Sequence, residues 1–362
     1  MTALQAPDLL ASKAGALALG DGFSMLTQFW SAAGWGDLAA WRGWHMIREL
    51  PTWAFDVLFY NVSRIPPDLW NDCGFQRAPE DSIMVIKRTR DRSASYGRKF
   101  NLSCYKGITE IPQAEIDAIG TVTLAGVGSS ALGAVALAID VADAIAEQVR
   151  DDTLTVAAIV TGQGGRNVLQ EAIGGWYVLG EANINRQRLL GFSDIVKVWL
   201  DRNLGVPTKV SDQMDLFAQI AARMDLDLPE STLVSEFIKS AKALRLVVGH
   251  SKGCLYLNNA LSKIADDAHG DSGKEKELAQ IARRLTIVTL GAVIFTPAEF
   301  ENSIHQYIGE YDALGALNSR QRMKHTVVPG VMHHLNTAIP MHMNCRKVLE
   351  SDQIVVGTEP SE

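Results

Sequence analysis

A short apolar run, a glycine-bounded pentapeptide and a helix-like segment follow one another in the chain and strongly constrain its fold. Leu246–Gly249 has the composition of a buried strand, and Gly253–Ala268 has that of a helix. Between them lies Gly249-His250-Ser251-Lys252-Gly253, whose two glycines suit a sharp turn in which the helix passes close to the strand. The segment therefore predicts a strand–turn–helix unit with Ser251 exposed at the carboxyl edge of a sheet.

Further apolar runs alternate with helical segments on both sides of this unit. Ala131–Val149 carries an apolar side chain at every fourth position from Leu137, and Asp140, Asp143 and Glu147 fall off that stripe. Strands are predicted at 82–87, about 100–105, 121–125, 156–160, 246–249, 285–290, 304–309 and 325–331. Strands that alternate with helices indicate an α/β fold with a mainly parallel sheet flanked by helices.

Length and composition set the domain organisation. The chain has 362 residues, of which 47 % are hydrophobic and 21 % charged, as in ordinary globular proteins. We expect a tryptophan-rich helical region over residues 1–80 packed on the core, an α/β domain over 81–350 and a tail over 351–362. Residues 166–208 are interpreted as a cap or lid insertion.

Six of the eight tryptophans lie in the N-terminal region. They are Trp30, Trp35, Trp41, Trp44, Trp53 and Trp70. Tryptophan suits a packed core, and it also suits a water–lipid boundary because its ring is apolar while its N–H is polar. The region is therefore either a structural element that packs on the main domain or an apolar surface that contacts substrate or lipid.

Charge and cysteine usage exclude several classes of protein. The net charge of −7 argues against a surface that binds duplex nucleic acid. The four cysteines are far apart and show neither a CxxC motif nor zinc-site spacing, so we expect reduced thiols, no metal site and a cytoplasmic protein. The uncharged stretch 118–139 contains four glycines and predicts a strand, a turn and a buried helix rather than a membrane span.

A serine hydroxyl becomes a nucleophile only when a base takes its proton and an acid orients that base. Asp312 follows the predicted strand 304–309, and the adjacent residues His333 and His334 follow the final strand. The order Ser251, Asp312, His333 fits a strand-end triad, and His333 and His334 are both candidates for the base. His342 is a third candidate for the base, and Glu310 and Glu299 are alternatives for the acid.

Residues 121–345 resemble an α/β-hydrolase, most closely the fungal-lipase-like, or class three, branch of lipases and esterases. Three segments carry the resemblance: Val248–Gly253 around Ser251, Val288–Ala292 followed by Phe300, and Tyr311–Leu314. Lys252 and Cys254 depart from the branch, which usually has a large apolar residue and a glycine at those positions. The tryptophan-rich N-terminal region is not part of the family pattern.

The resemblance implies a serine hydrolase that cleaves a carboxylic ester with an apolar acyl group through an acyl-enzyme. Ser251 would attack, His333 or His334 would act as base, and Asp312 would orient the base. In many members of the superfamily the base is followed by several residues and then a proline, and the spacing to Pro340 fits His333 slightly better than His334. The backbone N–H groups of Lys252 and Gln163 would hold the oxyanion. Such chemistry needs no cofactor, and the expected partner is a small-molecule or lipid-like ester, with contact to a lipid or polyester surface as an extension. The sequence indicates no oligomeric state.

Two other functions compete with this one. Residues 126–131 match the G-x-G-x-x-A form of the dinucleotide fingerprint, but the strand 156–160 ends in Thr161-Gly162-Gln163 where an acid should bind the ribose. Tight packing of helix on strand explains these glycines better than a nucleotide-binding oxidoreductase does. The other alternative is a binding or scaffold protein that keeps the hydrolase fold with an inactive triad.

Overall fold

The computed structural model describes most of the α/β region and a short part of the N-terminal region. The described residues are 52–66, 69, 78, 82–91, 98–126, 129–149, 152–161, 229–319, 323–351 and 354. The interpreted cap at 166–208, Gln163, five of the six N-terminal tryptophans and most of the tail lie outside these residues, as does the side chain of Trp53.

Eight strands form one sheet in the described residues, as predicted. They are β1 (Ile83–Arg90), β2 (Arg98–Tyr105), β3 (Ile119–Leu124), β4 (Thr153–Ile159), β5 (Leu246–His250), β6 (Thr286–Leu290), β7 (Ile304–Gly309) and β8 (Thr326–Val328). Their order is β2-β1-β4-β3-β5-β6-β7-β8. β1 is antiparallel to both β2 and β4, and every other neighbouring pair is parallel, so β1 alone runs in the opposite direction.

Helices flank both faces of this sheet. They are α1 (Thr52–Phe59), α2 (Gln113–Ala118), α3 (Ala131–Val149), α4 (Pro229–Ser240), α5 (Lys252–Ala268), α6 (Ser272–Arg284), α7 (Ala313–Asn318) and α8 (Cys345–Leu349). One apolar core joins α3 and α8 to the sheet, and a second core joins α4, α5 and α6 to the opposite face. Because both faces are covered, the central strands β5 and β6 are buried along their whole length.

The bounds of the elements follow local chemistry closely. α3 spans the predicted residues, and its first turn is capped by the Ser130 hydroxyl, which accepts from the N–H of Leu132. α6 begins where the Asp271 carboxylate accepts from two backbone N–H groups. β8 is shorter than predicted because the chain turns at Pro329 and Gly330.

Asp140 and Asp143 lie off the apolar stripe of α3 but are buried. The Asp143 carboxylate contacts Arg64, Arg88 and Arg98 at 2.9, 3.0 and 2.6 Å, and Asp140 contacts Arg64 at 2.7 Å. The arginines come from three separate segments, so this ion-pair cluster ties the chain before β1, and the β1–β2 hairpin, to α3. Burial raises the pKa of Asp140 to about 6.

Two absences hold for the part of the chain that the structure describes. None of its helices combines the length and the apolar character that a bilayer crossing requires. Its histidine, cysteine and acidic side chains form no group of three or more suited to a metal ion.

Candidate active site

Ser251 occupies a strained turn between β5 and α5. Its backbone has φ 53° and ψ −120°, a conformation that side-chain-bearing residues rarely adopt. The turn is fixed by hydrogen bonds from the Ser251 N–H to the Leu290 carbonyl (2.9 Å) and from the Cys254 N–H to the Ser251 carbonyl (3.0 Å). A Cβ at Gly253 would collide with the carbonyl oxygens at the end of β3, so the close approach of α5 requires glycine there. Ser251 remains partly exposed at the carboxyl edge of the sheet.

The structure brings Ser251, His333 and Asp312 into one hydrogen-bonded row. The Oγ of Ser251 lies 2.7 Å from Nε2 of His333. The Nδ1 of His333 lies 2.7 and 2.8 Å from the two carboxylate oxygens of Asp312. These distances are within the reach that proton transfer along such a row requires.

The chemistry of each partner fixes the direction of these hydrogen bonds. A carboxylate only accepts, so Nδ1 of His333 carries the ring proton, and in the neutral ring Nε2 is free to accept from the Ser251 hydroxyl. Asp312 is buried and also accepts from the N–H of Gly315 at 2.6 Å, as the N-cap of α7. The acid is therefore held by two independent partners, and it holds the imidazole ring in the orientation that presents Nε2 to Ser251.

The other predicted candidates lie away from this row. Nε2 of His334 donates to the carbonyl of Pro340 at 3.0 Å, so the structure brings His333, and not His334, to Ser251. Nδ1 of His342 contacts the carbonyl of Ile339 at 2.9 Å. Glu310 is exposed and accepts from the N–H of Gly330. Glu299 is exposed in the short turn before β7.

The proposed oxyanion donors are described only in part. Lys252 is the first residue of α5, so its backbone N–H lies at a helix N-terminus, which favours negative charge. Its side chain is buried and donates from Nζ to the carbonyl of Thr161 at 3.0 Å. Thr161 in turn donates from Oγ1 to the carbonyl of Ala125 at 2.9 Å. The loop that leads to Gln163 thus starts beside the end of β3, the strand adjacent to β5, and Gln163 itself lies outside the described residues.

The glycine motif at 126–131 is occupied by protein groups in the described part. Asp56 of α1 accepts from the backbone N–H and hydroxyl of Ser130 and from the hydroxyl of Ser129. A carboxylate therefore stands at the N-terminus of α3, where a dinucleotide fold places its phosphates. Burial raises the pKa of Asp56 to about 6, and the serine hydrogen bonds oppose that rise.

Sequence reasoning missed how closely the N-terminal segment joins the site. The Phe59 ring packs edge-on against the His333 ring, with centroids 5.9 Å apart. Tyr60 and His250 form hydrogen bonds that reach the His333 backbone. The sequence shows that the region is rich in aromatic residues, but it does not indicate which of them packs against His333.

Ser251, Asp312 and His333 follow β5, β7 and β8 respectively, so they meet at the carboxyl edge of the parallel strands. Parallel strands bring the loops at their carboxyl ends together, and this edge is where α/β proteins place their sites.

Comparisons of the chain with protein-family models, with curated proteins and with solved structures find no match.

Proposed function

We propose that this protein is a serine hydrolase that cleaves carboxylic esters through a covalent acyl-enzyme. The observation that carries the proposal is the continuous row from Asp312 through His333 to Ser251, with contacts of 2.7–2.8 Å, at a strained and partly exposed turn. Backbone strain of this kind persists where surrounding structure enforces it, and it commonly coincides with function.

The proposed mechanism uses only residues of this chain. The Ser251 oxygen attacks the ester carbonyl while Nε2 of His333 takes the hydroxyl proton, and Asp312 stabilises the resulting imidazolium. His333 then protonates the departing alcohol, which leaves the acyl group on Ser251. Water gives a proton to His333, attacks the acyl carbonyl and releases the acid, and the same proton returns to Ser251.

The negative charge that develops on the carbonyl oxygen needs two backbone donors. We assign one to the N–H of Lys252, which follows Ser251 directly and opens α5. We keep Gln163 as the second donor, because Thr161 is anchored beside β3 by its hydroxyl and by Lys252. In related chemistry, removing one such donor costs about 3 kcal/mol of transition-state stabilisation.

We further infer that the domain is an α/β-hydrolase. Its support is the order of the strands, the single antiparallel strand β1, and the placement of nucleophile, acid and base after β5, β7 and β8. The preference for a lipase-like or esterase-like substrate with an apolar acyl group rests on the sequence resemblance.

Hydrolysis of p-nitrophenyl esters of increasing acyl length tests the proposal. We expect steady turnover by the full chain, with loss of activity in Ser251→Ala. Ser240→Ala is the matched control, since Ser240 lies on α4 and its hydroxyl contacts only the helix carbonyl of Glu236 among its described hydrogen bonds. Equal turnover in the wild-type protein and Ser251→Ala would remove Ser251 from the mechanism, and no turnover with any ester would favour the inactive scaffold.

A further inference from the structure

Two buried side chains behind the proposed base form a hydrogen-bonded chain that the mechanism above does not use. The Tyr60 hydroxyl lies 2.8 Å from Nδ1 of His250. Nε2 of His250 lies 2.9 Å from the backbone carbonyl of His333. Both Tyr60 and His250 are almost fully buried, so water does not compete for these contacts.

The direction of each hydrogen bond in this chain follows from its partners. A carbonyl only accepts, so Nε2 of His250 must carry the ring proton. Burial lowers the pKa of His250 to about 3, so the ring is neutral at ordinary pH and Nδ1 accepts the hydroxyl proton of Tyr60. The Tyr60 oxygen accepts in turn from the N–H of Gly126 at 2.5 Å. Every member of the chain is therefore satisfied in one defined direction.

The hydrogen-bonded row from Gly126 through Tyr60 and His250 ends beside both members of the proposed catalytic pair, Ser251 and His333. At one end, a Cβ placed on Gly126 would lie 3.0 Å from Cβ of Ser251, so the residue that anchors Tyr60 lies beside Ser251. At the other end, His250 holds the carbonyl of His333 itself. His250 is also the last residue of β5, directly before Ser251, so one rigid strand end carries both contacts.

We propose that Tyr60 is a positioning residue for the base: acting through His250, its hydroxyl holds the backbone of His333 where the imidazole reaches Ser251. This inference rests on the proposed function, because it assigns Tyr60 a role in that same reaction. With this role, the segment after α1 supports the proposed site and does not only pack on the core.

Other contacts of the same segment support this role. Five hydrogen bonds join residues 57–61 to residues 335–337, a stretch that begins two residues after His333. The edge-on contact of Phe59 limits the rotation of the His333 ring. Residues 57–61, which include Tyr60, therefore contact both the backbone that follows His333 and the His333 ring.

The first test compares Tyr60→Phe with the wild-type protein at a constant number of active sites. Sites are counted by titration with a fluorophosphonate, and turnover of a p-nitrophenyl ester is expressed per titrated site. We expect kcat to fall about ten-fold with KM unchanged, since a lost buried hydrogen bond shifts the base without altering substrate contacts. Tyr105→Phe is the matched control, because Tyr105 lies on β2, four strands from β5, and its hydroxyl donates to Glu115 of α2 at 2.6 Å.

The second test uses His250→Leu, whose side chain can make neither of the two ring contacts. If Tyr60 acts through His250, adding Tyr60→Phe to His250→Leu changes kcat much less than the same change does in the wild-type background. Independent, multiplying losses would contradict the coupling. A Tyr60→Phe protein that melts at a lower temperature but keeps the full kcat per site would show a purely structural role and overturn the inference.

Failure of the proposed function gives a different result. A wild-type protein that neither reacts with the fluorophosphonate nor turns over esters would overturn both proposals, because there would be no base to position. A reactive wild-type protein with no effect of Tyr60→Phe on kcat would overturn this inference alone.

Discussion

The Oγ of Ser251 lies 2.7 Å from Nε2 of His333, although 82 residues separate them in the sequence. Between them the chain forms β6, β7 and β8, which pair in parallel order beside β5. Each strand returns the chain to the same edge of the sheet. The short contact is therefore a consequence of the sheet order.

The adjacent histidines should differ sharply in their effect on activity. His333→Gln removes the base, so we expect kcat/KM for ester hydrolysis to fall by about 10³-fold or more. His334→Gln keeps a donor for the Pro340 carbonyl, so activity should stay close to that of the wild-type protein and stability should change by less than about 1 kcal/mol. Steady-state kinetics and denaturant unfolding of both variants measure this. The reverse ranking would mean that His334 is the base.

Asp312→Asn should separate catalysis from stability. Asparagine is as good an N-cap as aspartate, so α7 keeps its cap, but the amide no longer accepts from Nδ1 of His333 through both oxygens. In Ser-His-Asp sites the same change lowers kcat by about 10⁴-fold. Asp271→Asn is the matched control, since it alters the N-cap of α6 far from the site. An Asp312→Asn protein with full kcat would show that Asp312 does not orient the base.

Gly126→Ala should disturb the site directly. The added methyl group would lie 3.0 Å from Cβ of Ser251 and 3.1 Å from the Tyr60 hydroxyl, and both neighbours are fixed. We expect the free energy of unfolding to fall by about 1–3 kcal/mol and ester turnover per folded molecule to drop. Gly107→Ala is the control, since a Cβ there has no neighbour within 4 Å and its φ of −167° suits any residue. Unchanged kinetics in Gly126→Ala would show that the contact is not tight.

Asp56 should make stability depend on pH in a defined window. Burial raises its pKa from 3.8 to about 6, so the folded protein binds a proton that the unfolded chain has released. The stabilisation from that proton is complete below pH 3.8 and is lost as the pH rises through about 6. Compared with the wild-type protein, Asp56→Asn should therefore gain relative stability between pH 4 and pH 7, by up to about 3 kcal/mol.

Denaturant unfolding of both proteins at several pH values measures this difference. The Asp56→Asn side chain keeps an oxygen for the N–H of Ser130, so the contact at the start of α3 is retained. A stability difference between the two proteins that does not change with pH would mean that Asp56 titrates normally in the folded state.

Local chemistry explains why much of the sheet was predictable. Apolar runs such as Val156–Val160, and glycines at positions 249 and 253, determine structure within a few residues of themselves. The predicted strands and the helix Ala131–Val149 are present in the structure for this reason. The helix spacing also placed Asp140 and Asp143 off the apolar stripe, but it could not reveal their burial. Their arginine partners come from positions 64, 88 and 98, and only tertiary structure brings these together.

The site was less predictable because single-residue differences decide it. His333 and His334 are neighbours in the sequence. Which of them faces Ser251 depends on backbone contacts within the segment that follows β8, such as the hydrogen bond from the Met343 N–H to the His334 carbonyl. Tyr60 reaches His250 across 190 residues of sequence, and no spacing rule indicates such a pair. The predicted donor Gln163 and the interpreted cap lie outside the described residues, so those expectations remain predictions.

Covalent reaction with a fluorophosphonate tests whether His333 activates the Ser251 hydroxyl. The full chain should gain the mass of one phosphonyl group, peptide mapping should place it on Ser251, and the His333→Gln variant should react far more slowly. Labelling at another residue, or an unreactive Ser251 in a correctly folded protein, would contradict the claim that His333 activates this hydroxyl.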